Sequence, residues 1–283
     1  MMDAPRTGPR YGRGIGNLTG RLALAVYVTV LTALLVLPIG LVVVASFHGG
    51  LEASVGEDGW SFAAYEAMPH QYWLSLWFTI KTALLSTALA LVVSVAAAWG
   101  LVRGKLRERR LVGMLVLLPD AVPSITLGIG LLVLFIPLGL SNSLAGTVVA
   151  LAALGLAMGL RFAEVLMEAI PEELEQAAIT MGASRLVAFL SVTLPLLAPG
   201  LAAAALFIFV HNLVTFELLL FISGPRAMPI SVLLFTDIVE RGVLPQAIAM
   251  SAILVYVAIA FYTLIVMTVG MRHLAGSPLS RKG

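Results

Sequence analysis

The sequence predicts an all-α membrane protein of six transmembrane helices, and three observations carry the prediction. Sixty per cent of the 283 residues are hydrophobic and only 11% are charged, against about 25% charged in a soluble domain. Six stretches, 22–47, 73–102, 111–137, 143–160, 196–222 and 246–271, are almost free of charge. Each reaches or approaches the ~20 residues that cross ~30 Å of hydrocarbon at about 1.5 Å per residue. Runs such as Ala88 to Ala98 do not alternate in polarity, which excludes the ~10-residue strands of a spanning barrel.

Taken in order, residues 1–20 read as a basic tail, with Arg6, Arg10 and Arg13 among Gly and Pro. The apolar run after them is far longer than the ~7–15 residues of a cleavable signal, so 21–47 is expected to stay as the first transmembrane helix. A core of five more spans occupies 73–271, and 272–283 form a second tail. Fourteen of the 17 Lys and Arg residues fall before span one, at 103–110, at Arg161 and Arg185, or after span six. The alternate loops hold only Arg226 and Arg241 among basic residues, beside Glu52, Glu57, Asp58, Glu66, Asp237 and Glu240. By the positive-inside rule both termini and the loops 103–110 and 161–195 face the cytoplasm. Lys81, with Trp73 and Trp77 nearby, is expected to snorkel to the outer interface.

The segment between spans four and five exceeds the ~2–8 residues that join neighbouring helices, so it has structure of its own. Pro171 followed by Glu172, Glu173 and Glu175 reads as a helix start, with acids at the positive end of the dipole. Gly182 reads as the stop, and Ser184 to Val192 as a second short amphipathic stretch before Leu194-Pro195. A helix–Gly–helix elbow at 163–195, too polar for the bilayer, presents a ridge on which something soluble docks.

Polar features inside the spans are candidates for a translocation pathway, because a charge there is disfavoured by ~2.5–3.5 kcal/mol. Asp120 lies between Pro119 and Pro123, where freed backbone groups need partners; it either lines the path or caps the broken helix. Glu217, Asn212 and His211 fall in span five. On one unbroken helix His211 and Glu217 are about 240° apart and Asn212 and Glu217 about 140°, so only one faces a pore squarely unless the helix is broken. Glu217 is the candidate taken forward, with interhelical hydrogen bonding as its alternative. Gly128, Gly130 and the Gly155-x-x-x-Gly159 pair read as close helix packing. The outer loops 48–72 and 223–245 carry Trp60, Tyr65, Tyr72 and Trp73, either an interfacial belt or a docking surface.

The absent chemistry is informative too. There is no cysteine, and no disulfide or thiolate metal site. No Gly-x-x-x-x-Gly-Lys-[Ser/Thr] loop, His-Glu-x-x-His or Gly-x-Ser-x-Gly occurs, and the four histidines are scattered. The chain is therefore expected to be no enzyme, to bind no metal or cofactor and to lack its own P-loop nucleotide site. A self-powered secondary transporter or channel is the alternative of another class, but no internal repeat stands out.

The run Glu175-Gln176-Ala177-Ala178-Ile179-Thr180-Met181-Gly182-Ala183-Ser184, followed by Val192-Thr193-Leu194-Pro195, resembles the EAA loop of binding-protein-dependent ABC importer permeases. That pattern is Glu-Ala-Ala, three residues, Gly, nine residues, Ile, any residue, Leu-Pro. Gln176 stands in the Glu position and Val192 in the Ile position. Leu118 to Val122, Gly128 to Phe135 and Phe221 to Pro225 look most like the spermidine/putrescine branch, which includes relatives for ferric iron, thiamine and aminoethylphosphonate.

The resemblance implies the type I ABC importer permease fold, in which span one wraps a partner subunit and the elbow couples to an ATPase through Glu175, Gln176, Ala177, Ala178, Gly182, Ala183, Leu194 and Pro195. It implies a second permease subunit, with a paralogue favoured over a copy, two cytoplasmic ATPase subunits that bind ATP and Mg, and an external substrate-binding protein. Residence in the bacterial inner membrane, contact with lipid and no nucleic-acid partner follow from it. Asp120 and Glu217, with no cation opposite except peripheral Lys81, lean towards a polyamine-like cation as solute.

Overall fold

The computed structural model describes residues 16–48, 59–104 and 109–276. The basic tail before Gly16, the loop acids Glu52, Glu57 and Asp58, the basic residues Lys105 and Arg107, and the last seven residues lie outside the described residues, as does the side chain of Asp120.

All regular structure among the described residues is helical apart from one isolated bridge between Gly224 and Ala227. Helices α1 (Gly16–Ala45), α2 (Ala63–Glu66) and α3 (His70–Arg103) are followed by α4 (Arg109–Ala121) and α5 (Ser124–Leu138), the two halves of the third span. Then come α6 (Leu144–Glu168), α7 (Glu172–Thr180), α8 (Arg185–Ala188), α9 (Leu194–Val214), α10 (Glu217–Ile222), α11 (Ile230–Arg241) and α12 (Pro245–Gly276). Five continuous helical stretches are long and apolar enough to cross a membrane, and α5 is a shorter apolar helix.

The core is the bundle α3–α6–α9. The buried face of α3 runs through Ser75, Thr79, Thr82, Ser86, Ala90, Ser94 and Ala98, three or four residues apart and small, which lets neighbouring helices come close. Gly159 of α6 sits where a Cβ would lie 2.4 Å from Ser94 Oγ, and a Cβ on Gly155 would lie 2.8 Å from Ile208 of α9. These two glycines are packing residues, as expected. Gly128 is another: its missing Cβ would fall 3.0 Å from the Leu218 carbonyl of α10, whereas a Cβ on Gly130 would meet nothing within 4 Å from outside its own helix turn.

Two of the expected spans are interrupted. The third breaks at Val122-Pro123, where Pro123 is extended (φ −54°, ψ 131°) before α5 begins; a residue preceding proline is pushed out of the α region. The fifth was expected as one helix over 196–222, but it begins earlier and ends sooner. Helix runs from Arg185 to Val214 through a π turn at Phe189–Thr193, one turn before Pro195, where a proline deprives the ladder of a donor. It stops at Thr215 (φ −58°, ψ 127°), and α10 starts as a separate short helix. Thr215 Oγ1 donates to the His211 carbonyl at 2.8 Å, and Ser231 Oγ donates to the Thr215 carbonyl at 3.0 Å. The Ser231 hydroxyl thus supplies the Thr215 carbonyl with a partner that the broken ladder no longer supplies.

The loop 223–245 contains α11, whose buried face includes Ile230, Leu233, Leu234 and Asp237. Its first amide donates to Thr79 Oγ1 at 2.8 Å, and Tyr72 Oη donates to Asp237 Oδ2 at 2.6 Å. Tyr72 is therefore a buried anchor, while Trp60 and Trp73 are exposed. Lys81 Nζ lies 6.0 Å from the Trp77 ring, one turn nearer the His70 end of α3, the direction expected of a snorkelling lysine.

Candidate functional site: a groove between two helix breaks and an elbow at one end

The two breaks open onto the same groove. Pro119, Val122 and Ser124 from the first, Val214, Thr215, Phe216 and Glu217 from the second, with Leu154 and His211, surround about 230 Å³. Leu154 and His211 also line an adjoining space of about 440 Å³ that extends to Met158, Arg161 and Phe162. Proline and helix ends interrupt the backbone ladder in both walls, the sort of irregularity tolerated at membrane depth only where it faces protein or a cavity.

The break brings together two residues that an unbroken helix would have kept apart. Because α10 restarts after Thr215-Phe216, His211 and Glu217 line one cavity. Asn212 turns the other way: it is 1% exposed, and its Nδ2 donates to Ser86 Oγ of α3 at 2.9 Å. In this conformation Asn212 ties α9 to α3 and does not line the groove. Asp120 occupies the last turn of α4, beside groove residues Pro119, Ala121 and Val122.

Sequence reasoning missed Arg161. It was assigned to the loop after span four, but α6 continues to Glu168, and seven residues, close to two full turns, place Arg161 below Leu154 on the same face. The groove therefore carries Glu217 at one end and the cation Arg161 at the other, which removes one premise of the lean towards a cationic solute. The signal available in the sequence was the 7-residue spacing.

At the Arg161 end of the bundle stands the elbow. Helix α7 follows Pro171 and closes with Gly182 at φ +98°. The Gly182 amide donates to the Ile179 carbonyl and the Ala183 amide to the Ala178 carbonyl, the paired bonds of a Schellman cap that needs a left-handed residue. Ser184 then caps α8, accepting from the Val187 amide at 3.3 Å.

The named coupling residues split into two sets. Gln176, Ala177 and Gly182 are exposed, with Gln176 Nε2 donating to Glu172 Oε1 at 3.1 Å, and Met181 beside them is 83% exposed. Ala183 and Leu194 are half-buried and Pro195 is exposed. Glu175 and Ala178 face inwards; Glu175, 6% exposed, accepts from Trp99 Nε1 at 3.2 Å and Thr193 Oγ1 at 2.9 Å. Under Glu175 a space of about 530 Å³ is lined by Trp99, Arg103, Glu172, Gln176, Ile179 and Arg185, among others.

No family model matches the chain. Among curated proteins it is 34% identical over 165 residues to the sulfoquinovosyl glycerol transport system permease SmoH of Agrobacterium fabrum, covering 57% of this chain and 58% of that protein. It is 32% identical over 190 residues to a protein of Streptomyces antibioticus named "Putative ABC transporter permease protein ORF1", covering 66% and 82%. It is 27% identical over 234 residues to the putrescine permease PotI of Escherichia coli, covering 77% and 80%. Among solved structures, a chain of a bacterial ABC transporter that imports alginate superposes with TM-score 0.70 at 20% identity, covering 91% of this chain and 98% of that one. A multi-pass helical chain with this fold, and with a relative of that identity matched over four fifths of its length, belongs to the ABC transporter permeases of the type I importer kind.

Proposed function

We propose that this chain moves a small solute across the bacterial inner membrane as one permease subunit of an importer powered by separate ATPase subunits. The observation that carries the proposal is the elbow. It is a capped helix–Gly–helix unit whose exposed residues Leu174, Met181, Leu186, Val187 and Leu190 are not covered by any of the described residues, at the end of the bundle where the basic residues Arg103 and Arg185 lie. An ATPase that binds ATP and Mg docks there, a second permease, a paralogue in this reading, completes the path, and an external binding protein delivers the solute to the opposite end. Both termini then face the cytoplasm.

ATP-driven closure of the two ATPases draws the elbows together, and the groove between the helix breaks changes the side to which it opens. The permease performs no covalent step. For the solute, Glu217 supports a cationic group such as a polyamine amine, and the likeness to PotI supports the same class. Arg161 favours a second reading, a solute with acidic or hydroxyl groups, as the name of SmoH describes for that relative. Ferric iron, thiamine and aminoethylphosphonate are further solutes of the same machine.

The test is Gly182→Val, a β-branched side chain at positive φ, where no L residue sits without strain. The expected result is normal membrane insertion with loss of ATPase stimulation by loaded binding protein, with or without loss of ATPase co-purification. Intact docking and stimulation in this variant would reject the coupling role.

A further inference from the structure

Glu175 and Gln176 are neighbours in the chain but about 100° apart around α7. The position that carries an acid in the pattern this loop resembles is the neutral, solvent-facing Gln176, and the acid stands one residue earlier, facing inwards. Glu175 draws together groups from two other elements and, through one of them, reaches a third. Trp99 of α3 and Thr193, the last residue of the π turn, donate to its two oxygens. Arg103 Nε of α3 lies 4.0 Å from Oε2, too far for a direct hydrogen bond, so charge alone links them. The same guanidinium reaches the end of α6 and the turn after it: Arg103 Nη2 donates to the carbonyls of Met167 at 3.0 Å and Ile170 at 2.6 Å. The Trp99 ring also packs on Phe189, 4.8 Å between centroids.

Resting on the coupling role of the elbow, we propose that Glu175 is a positioning residue that never touches the ATPase: with Arg103 it forms the strut that makes α7 move as one body with the ends of α3, α6 and α9. A ridge held only by its two chain connections tilts when pushed. One held by a buried carboxylate to three spanning helices passes the displacement on to them. Gln176 and the exposed tip make the contact, and Glu175 delivers it.

The measurement uses the complete complex with its ATPase. Spin labels at Glu173→Cys on α7 and Val165→Cys on α6, both exposed, report the elbow-to-span distance without nucleotide and after trapping with ATP and vanadate. Glu175→Gln preserves shape and two hydrogen-bonding atoms while removing the charge that faces Arg103. In the unsubstituted background the distance is expected to stay fixed on trapping. With Glu175→Gln it shifts or broadens, the ATPase still co-purifies, and ATPase stimulation falls at least about fivefold, the lower end of coupling between linked sites. Arg103→Gln is expected to do the same, and the double variant to be no worse than either single one, because both remove one link.

Loss of ATPase co-purification in Glu175→Gln would overturn the proposal by making the acid a contact residue. A fixed distance with full stimulation in that variant would overturn it as well. These failures are distinguishable from failure of the elbow reading: if only the strut is wrong, Gly182→Val still uncouples and Glu175→Gln does not, and if the elbow is wrong neither variant changes the ATPase rate.

Discussion

Glu217 and Arg161 face the same groove from opposite ends, and their substitution decides which end meets the charge of the solute. With a cationic solute, Glu217→Gln is expected to lower uptake by about 10–100-fold, the equivalent of a hydrogen bond to a charged group worth ~1.5–3 kcal/mol, with assembly unchanged and Arg161→Gln milder. Uptake of the radiolabelled solute alongside co-purification of the complex reads both. The reverse order assigns an acidic or hydroxylated solute, unchanged uptake in both removes the groove from the path, and failed assembly in Glu217→Gln makes that residue a packing group. Asn212 illustrates what a residue list cannot carry. Its polarity marked it as a pathway candidate, yet its partner Ser86 lies 126 residues away in sequence, and only the packing of α9 on α3 shows that the amide is spent on a hydrogen bond between helices, a bond worth about 0.6 kcal/mol on average in membranes.

The helices differ in how much of their outline is local. Gly182 and Pro171 act through the backbone of their own neighbourhood, and α7 starts and stops where those residues place it. Pro123 also marks its break from within. The break at Thr215-Phe216 contains neither proline nor glycine; a hydroxyl from Ser231, on another helix, holds it, so nothing in the span announces it. Helix α11 was hidden for a related reason: Asp237 reads as a solvated loop acid until Tyr72 is seen to bury it. If the two breaks are parts of the path and not defects, mending the first should harm function without harming the fold. Pro123→Ala restores a backbone donor and relaxes Val122; the expected outcome is an unchanged or raised thermal midpoint of the purified protein with uptake reduced severalfold. Wild-type uptake in that variant would show the break to be dispensable.

For the whole molecule, the elbow lies at the same end of the bundle as Arg103, to which Glu175 is paired. Helix α3, with 34 residues, is about 51 Å long at 1.5 Å per residue, longer than a ~30 Å hydrocarbon layer is thick, and it carries Arg103 in its last turn. Cysteines introduced at Ser184 on the elbow and Glu240 on α11 give a clean readout, because the chain has none of its own. An impermeant maleimide is expected to label Glu240→Cys in intact cells and Ser184→Cys only after permeabilisation. The opposite pattern inverts the topology.

Helix α1 belongs to the same scale. It packs against α12, its far end is pinned by Ser46 Oγ and Tyr65 Oη at 2.7 Å, and none of its apolar window is buried within the chain. Tails of lipid solvate such a surface as well as a neighbouring protein does, so α1 gains little from its own subunit. With its apolar window unclaimed among the described residues, α1 is the span whose position depends most on what surrounds the subunit, be it lipid or another chain.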